Sequence, residues 1–136
     1  MSDKQLPTYQ ARWMAGLNRG DVSAADDAFV PDCTINITGF PEPIRGVEAW
    51  KQAAAGFLAA FPDMQFTVDE HVVSGDTAFY RWHAKGTHNG PFGPLPATGK
   101  RVSFNGLLFD RVADGRVVER WEQFDQPAIL RQLGVG

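Results

Sequence analysis

The second half of the sequence contains four β-type runs in succession, with no helical pattern between them. The runs cover residues 65–73, 77–88, 100–112 and 116–124. Short segments rich in Gly, Asn and Asp separate most of them, and this composition is typical of tight turns. Consecutive strands joined by short turns pair antiparallel, so this order predicts an antiparallel meander.

Helical patterns are confined to the front of the chain and to its last residues. Apolar positions recur at three- and four-residue spacing over 6–17, 22–30 and 46–61, and a short strand at 33–37 separates the second from the third. A short amphipathic helix is predicted over 127–133. Helices at the front and strands at the back favour an α+β fold. We therefore predict a cone-shaped, curved antiparallel sheet wrapped around the N-terminal helices and enclosing a largely apolar pocket.

Length and charge limit the classes of function. The chain has 136 residues and is expected to form a single domain over 1–136. A formal net charge of −3 gives no basic surface, so we expect neither nucleic acid nor a membrane surface as a partner. The single cysteine, Cys33, excludes an intrachain disulfide. No signal-like or membrane-spanning apolar stretch is present, so we expect a cytoplasmic protein.

The last predicted strand alternates between two faces, and only one of them can line a pocket. Arg120, Glu122 and Phe124 share one face, and Trp121, Gln123 and Asp125 share the other. If the first face is inward, Glu122 lies beside apolar walls, where desolvation raises its pKa into a range useful for general acid/base catalysis. Arg120 could then bind a substrate oxygen. The alternative is an exposed Arg-Glu pair on the surface.

Other polar and aromatic residues are candidates for the same pocket. His88 ends a strand in a glycine-containing segment, where it could shuttle a proton or bond backbone at a turn. Asn36 alternates with two isoleucines and could orient a substrate carbonyl or be a satisfied structural amide. Trp13, Trp50 and Trp82 are expected in the core, where one or two could form a flat wall for an aromatic ligand.

Motifs for cofactor and metal chemistry are missing from the sequence. The three histidines are not spaced as metal ligands, so no metal site is predicted. No dinucleotide fingerprint, phosphate-binding loop or serine nucleophile elbow occurs. We therefore expect no bound cofactor.

Several fragments, spread over most of the chain, together carry a family resemblance. They are FVPD at 29–32, GVEA at 46–49, FPDM at 61–64, RWHAKGTHNG at 81–90, PATGK at 96–100, DGRVVERWEQFD at 114–125 and LRQLG at 130–134. In this order and spacing the sequence resembles the SnoaL-like polyketide cyclase or ester cyclase family. That family lies within the nuclear-transport-factor-like superfamily of cone-shaped α+β domains.

The resemblance implies an enzyme that closes the last ring of an aromatic polyketide by intramolecular aldol condensation without a cofactor. The family uses one Asp as general acid/base, and that Asp corresponds to Glu122, which selects the face of Arg120 and Phe124 as inward. A histidine on the neighbouring strand of the cyclases corresponds to Leu108. The proton-transfer helper is therefore replaced by an apolar side chain that would only line the site. The resemblance also implies a homodimer formed through the sheet.

The leading hypothesis is a cofactor-independent enzyme acting on a hydrophobic, carbonyl-rich small molecule by aldol-type cyclisation or isomerisation. Glu122 would remove an activated C–H proton and return it to oxygen. Arg120 would donate to the enolate, with Asn36 or His88 as alternative donors. Two further hypotheses remain: a hydroxylase-like relative, and a non-catalytic domain that binds a small ligand or dimerises.

Overall fold

Helices and strands of the computed structural model follow the predicted order apart from one unpredicted two-residue strand at Ile44–Arg45, and the structure describes residues 5–135. The helices are α1 (Thr8–Asn18), α2 (Ala25–Ala28, preceded by a 3-10 turn at Val22–Ala24), α3 (Val47–Ala60) and α4 (Gln126–Gln132). The strands are β1 (Phe29–Ile37), β2 (Ile44–Arg45), β3 (Gln65–Ser74), β4 (Thr77–Thr87), β5 (Arg101–Ala113) and β6 (Arg116–Phe124). The α+β prediction is confirmed.

All six strands form one curved sheet that does not close, in the order β2-β1-β6-β5-β4-β3. Strands β3 to β6 pair antiparallel with their chain neighbours, which confirms the predicted meander. The β1–β6 pair is parallel and differs from the predicted all-antiparallel sheet. Parallel neighbours need a long connection, and the chain supplies one because α3 and four strands lie between β1 and β6.

The largest local difference from the prediction lies between α1 and β1. The predicted helix over 22–30 is reduced to a 3-10 turn and the four residues of α2, and β1 begins at Phe29 rather than at residue 33. Phe29 is fully buried and is in register with Val117 of β6. Pairing with the sheet therefore overrides the local helical pattern at the end of this segment.

The core lies between the helices and the inner face of the sheet. Every second residue of β4 is buried from Ala78 to Gly86, and every second residue of β5 from Val102 to Asp110. From the helices, Trp13 of α1 and Trp50 of α3 pack on each other and on Phe29. Within residues 5–135, no helix has the length and apolar character needed to span a membrane.

Candidate active site

A cavity of about 370 Å³ lies between the sheet and helices α1 and α3. Most of its lining is aromatic or aliphatic, and Arg120 and Glu122 of β6 are its charged side chains. Phe40 and the segment 91–93 also line it, so loops contribute to the wall. Cavities of this size that bring a few polar groups into an apolar surface are typical of small-molecule sites.

Glu122 presents an unsatisfied carboxyl group to this cavity. Its Oε1 atom is buried and has no hydrogen-bond partner among the described residues. Burial raises the pKa of Glu122, and Asp110 raises it further, while Arg120 opposes the shift. A carboxyl group with a raised pKa is a stronger base when ionised and holds its proton more readily, so it suits the removal and return of a proton.

Arg120 is already engaged in an ion pair with Asp110. Its Nε donates to Asp110 Oδ1 at 2.7 Å, and its Nη2 donates to Asp110 Oδ2 and to Gln10 Oε1, both at 2.8 Å. The guanidinium carbon lies 4.9 Å from the centre of the Phe29 ring. Burial alone would lower the pKa of Arg120, but its other neighbours, chiefly the Asp110 carboxylate, outweigh this effect and raise the pKa above its ordinary value. Arg120 therefore stays charged.

Two tyrosines complete the network around Asp110. The Tyr9 hydroxyl donates to Asp110 Oδ2 at 2.6 Å and lies 2.9 Å from the Tyr80 hydroxyl. Because Tyr9 gives its single proton to the carboxylate, Tyr80 donates to Tyr9. Burial raises the pKa of Tyr80 to about 12, so it remains a neutral donor. Both oxygens of Asp110 are thus occupied, and Asp110 is not available as a base.

One part of Arg120 remains free to face a ligand. Its Nε and Nη2 atoms are used within the network, whereas Nη1 makes no hydrogen bond to any residue in the range 5–135. Arg120 lines the cavity, and Nη1 carries the N–H groups of its guanidinium that no other described residue uses. The network thereby holds a fixed cation at the cavity wall.

Seven of the nine candidate residues identified in the sequence line the cavity. They are Trp13, Trp50, Trp82, Leu108, Arg120, Glu122 and Phe124. The register places Leu108 of β5 directly opposite Glu122, as the resemblance implied for the missing histidine. The face of β6 chosen as inward is therefore the face that lines the cavity, and Trp121 on the other face is exposed.

Asn36 is not among the residues that line this cavity. Ile35 is fully buried and Ile37 lines the cavity, so strand alternation turns the Asn36 side chain to the outer face. There its Nδ2 donates to Glu119 Oε2 and to the Arg120 carbonyl, both at 3.1 Å. These contacts agree with the alternative prediction for Asn36, a structural amide whose hydrogen bonds are satisfied.

His88 is fully buried but also lies outside the lining of this cavity. Its Nδ1 accepts from the backbone N–H of Thr98 at 3.2 Å and lies 2.9 Å from the Thr98 hydroxyl. Its ring packs on Phe61 with centroids 5.4 Å apart. These contacts join the two ends of the 88–98 segment, which contributes Phe92 to the cavity wall.

Sequence reasoning missed the polar partners of Arg120. Asp110 shares the inward face of β5 with Leu108, and alternation alone could have drawn attention to a carboxylate there. Gln10 and Tyr9 belong to α1, and no sequence signal connects them to a strand a hundred residues away. No group of three or more His, Cys, Asp or Glu side chains in the part of the chain described is arranged to hold a metal ion.

A curved sheet whose helices cover a mostly apolar, carboxylate-bearing cavity defines an α+β domain with a pocket of the size of a small molecule. The chain belongs to the SnoaL-like polyketide cyclase family, whose model matches residues 8–133. No curated protein sequence matches the chain.

Solved structures support the same assignment. IdmH, a candidate polyketide cyclase from Streptomyces antibioticus, is 34% identical, with a TM-score of 0.82 over 96% of this chain and 100% of IdmH. AclR, a candidate hydroxylase from Streptomyces galilaeus, is 28% identical, with a TM-score of 0.82 over 93% of this chain and 79% of AclR. A candidate SnoaL-like cyclase from Jannaschia sp. CCS1 shares the fold at 18% identity and a TM-score of 0.86, over 100% of this chain and 99% of its own.

Proposed function

We propose that this chain is a cofactor-independent enzyme that uses Glu122 as general acid/base on a hydrophobic, carbonyl-rich small molecule. The observation that carries the proposal is the half-buried Glu122 carboxyl in a mostly apolar cavity, whose Oε1 atom is buried and has no hydrogen-bond partner within residues 5–135. A structure keeps such a group at a cost of about 1–3 kcal/mol, and sites of catalysis are where that cost is repeatedly found. Membership of a cyclase family and the similarity to IdmH support an aldol-type cyclisation or an isomerisation.

The proposed reaction needs only the substrate and residues of the cavity, because the proton that Glu122 removes is the proton that it returns. The Glu122 carboxylate removes a proton from a carbon next to a carbonyl group, and the electrons of the C–H bond form an enolate. The enolate carbon then attacks a second carbonyl carbon of the same molecule, forming a C–C bond. Glu122 returns the proton to the resulting alkoxide, and the carboxylate is regenerated. In an isomerisation, the proton is returned to a different atom of the enolate.

Arg120 is the proposed donor to the enolate oxygen. Its free Nη1 and its permanent charge suit an oxygen that becomes negative during the reaction, and Asp110 holds the guanidinium in place. Leu108, opposite Glu122, can neither accept nor donate a proton. Glu122 therefore performs both proton transfers by itself.

Exchange of carbon-bound hydrogen for deuterium tests this proposal without knowledge of the natural substrate. The probe is 2-tetralone, a flat bicyclic ketone with an activated CH₂ group, followed by NMR in D₂O. General acid/base catalysis contributes about 10²–10⁴-fold, and Glu122→Gln should remove a protein-dependent acceleration of that order. Glu119→Gln is the matched control, because Glu119 lies on the same strand but bonds Asn36 on the outer face. Equal exchange by wild type and Glu122→Gln would refute the proposal.

A non-catalytic ligand-binding domain is the second candidate, and Leu108 is the observation that favours it. With an apolar residue opposite Glu122, the site has one proton-transfer group instead of two. Ligand binding does not need the second group, but proton transfer would be slower without it. Binding of 2-tetralone without exchange would support this candidate. Similarity to AclR supports a hydroxylase as a further alternative, which oxygen consumption in the presence of the probe would reveal.

We also propose that the chain forms a homodimer through the outer face of the sheet. Phe79, Leu107 and Trp121, from three adjacent strands of that face, are 41%, 42% and 38% exposed. Clustered apolar side chains of this size on a sheet face are typical of interfaces between proteins. Leu107→Lys should shift sedimentation from dimer to monomer while leaving the fold unchanged, and a wild-type monomer at high concentration would contradict the proposal.

A further inference from the structure

Trp82 carries a buried polar group that nothing in the described chain satisfies. The side chain lines the cavity and the residue is 4% exposed, yet its indole Nε1 has no hydrogen-bond partner within residues 5–135. Buried tryptophan N–H groups are normally paired. A donor left free at a cavity wall is a place where a ligand acceptor can bind.

Gly106 is what allows the indole to take this position. Trp82 and Gly106 are directly opposite each other in the β4–β5 register. A Cβ atom at Gly106 would lie 2.8 Å from the indole Nε1 and closer still to Cε2 and Cζ2. The indole therefore extends across β5, over the backbone of Gly106, and its N–H lies above that strand instead of above β4.

The register puts this N–H one step along the sheet from Glu122. Gly106 and Leu108 are successive inward residues of β5, which are roughly 7 Å apart along a strand. Leu108 is opposite Glu122, and the next inward residue, Asp110, is opposite Arg120. Glu122 thus has the Arg120 cation on one side and the neutral Trp82 donor on the other.

We propose that the Trp82 indole N–H donates a hydrogen bond to a second carbonyl oxygen of the ligand, the oxygen of the carbonyl that the enolate attacks. The assignment of that oxygen as the electrophile rests on the proposed function, whereas the hydrogen bond itself does not. The pocket then takes a flat, mainly apolar compound with two acceptor oxygens on either side of the reacting carbon. The oxygen at Trp82 is an uncharged carbonyl until the C–C bond forms, so a neutral donor can bind it in the ground state and still donate to the alkoxide that follows, whereas the charged Arg120 suits the enolate that forms first.

Binding of an unreactive diketone tests the hydrogen bond separately from the chemistry. The probe is 2,2-dimethylindane-1,3-dione, which has no hydrogen between its carbonyls, so Glu122 cannot deprotonate it there. The matched hydrocarbon 2,2-dimethylindane has the same shape without the oxygens. Failure of this experiment would leave the exchange result on 2-tetralone intact, and the two proposals can therefore fail independently.

Indole proton resonances and affinities give the readout. In a ¹⁵N-edited NMR titration of the wild-type protein, the Trp82 indole proton should move downfield with the diketone and not with the hydrocarbon. In equilibrium dialysis, Trp82→Phe should reduce the preference for diketone over hydrocarbon about three- to tenfold, as expected for one hydrogen bond. Trp121→Phe, on the exposed outer face, should leave that preference unchanged.

Three results would overturn the proposal. The first is an equal Trp82 shift with both probes, and the second is an unchanged preference in Trp82→Phe. The third is a diketone that does not bind, or that shifts Trp50, whose indole Nε1 is also buried with no partner in residues 5–135, in place of Trp82. The wild-type titration is decisive even where Trp82→Phe fails to fold, because it requires only the assigned indole resonance.

Discussion

Asp110 and Glu122 are carboxylates on the inward faces of neighbouring strands, but the protein treats them in opposite ways. Asp110 is fully buried, and both of its oxygens accept hydrogen bonds, from Arg120 and from Tyr9. Glu122 keeps Oε1 buried with no partner in residues 5–135. The difference separates a carboxylate that stabilises the fold from one that is left free for a ligand.

The same contrast extends to the two regions around these residues. Near Asp110, Arg120 and Tyr9 bond the carboxylate, Gln10 and Tyr80 bond those two side chains in turn, and Asp110 itself is not among the residues that line the cavity. Near Glu122, the neighbours are Leu108, Phe124 and the open cavity. Pairing with a cation and hydrogen bonding offset part of the cost of burying a carboxylate, whereas burial without such partners raises the pKa of the carboxyl group.

The largest expected effect comes from breaking the closed region. Asp110→Asn removes the negative partner and leaves Arg120 as a buried cation, a change that typically lowers the free energy of unfolding by about 3–5 kcal/mol. Denaturant unfolding measures this loss. Asp26→Asn, which removes an exposed pair with Lys51, is the matched control and should cost about 0–1 kcal/mol. Equal losses in the two variants would show that Asp110 does not stabilise the fold as its contacts indicate.

A smaller effect on stability is expected from a substitution at Gly106, which makes room for the Trp82 indole beside the cavity. Gly106→Ala puts a methyl group against the Trp82 indole and should lower the free energy of unfolding by about 1–3 kcal/mol through overpacking. It should also push the indole into the cavity and weaken binding of 2,2-dimethylindane as well as of the diketone. Gly56→Ala is the control for stability alone, since a Cβ there meets no described residue within 4 Å and helix α3 should gain about 0.5–1 kcal/mol. A Gly106→Ala protein as stable as wild type would contradict the close approach of the Trp82 indole to Gly106 on which this prediction rests.

Much of the fold and part of the site follow from residue patterns that are local. Alternation and turn residues predict the meander, because each strand pairs with its chain neighbour. Placing Glu122 on the inward face needed the family resemblance, because the alternation of β6 alone fits either face. The parallel β1–β6 pair, by contrast, depends on a crossover that no short pattern encodes.

The partners of the site residues were beyond prediction because they depend on register between distant segments. Arg120 was expected to face a substrate, but its contact with Asp110 is set by the β5–β6 register, and its contact with Gln10 by the docking of α1. Asn36 could have been placed correctly, since the isoleucines on either side of it occupy the buried face. The position of Trp82 over Gly106 required the β4–β5 register.

The smallest expected effect, and the most direct measure of the contrast, is the pH dependence of stability in Glu122→Gln. Burial raises the pKa of Glu122 in the folded state, whereas in the unfolded chain it keeps the ordinary glutamate pKa of about 4.3. At a pH between these two pKa values, the folded protein holds a proton that the unfolded chain has lost. The wild type therefore loses stability as pH rises through this window, and glutamine, which does not titrate, avoids that loss. Thermal unfolding between pH 4 and 8 should show the stability of the variant rising relative to that of the wild type as pH rises, then a constant difference above the folded pKa.

Trp121→Phe, which removes no titratable group, should differ from wild type by a constant amount. A constant difference for Glu122→Gln as well would mean that this carboxyl ionises alike in the folded and unfolded chain, and the contrast with Asp110 would then be one of contacts without an electrostatic consequence.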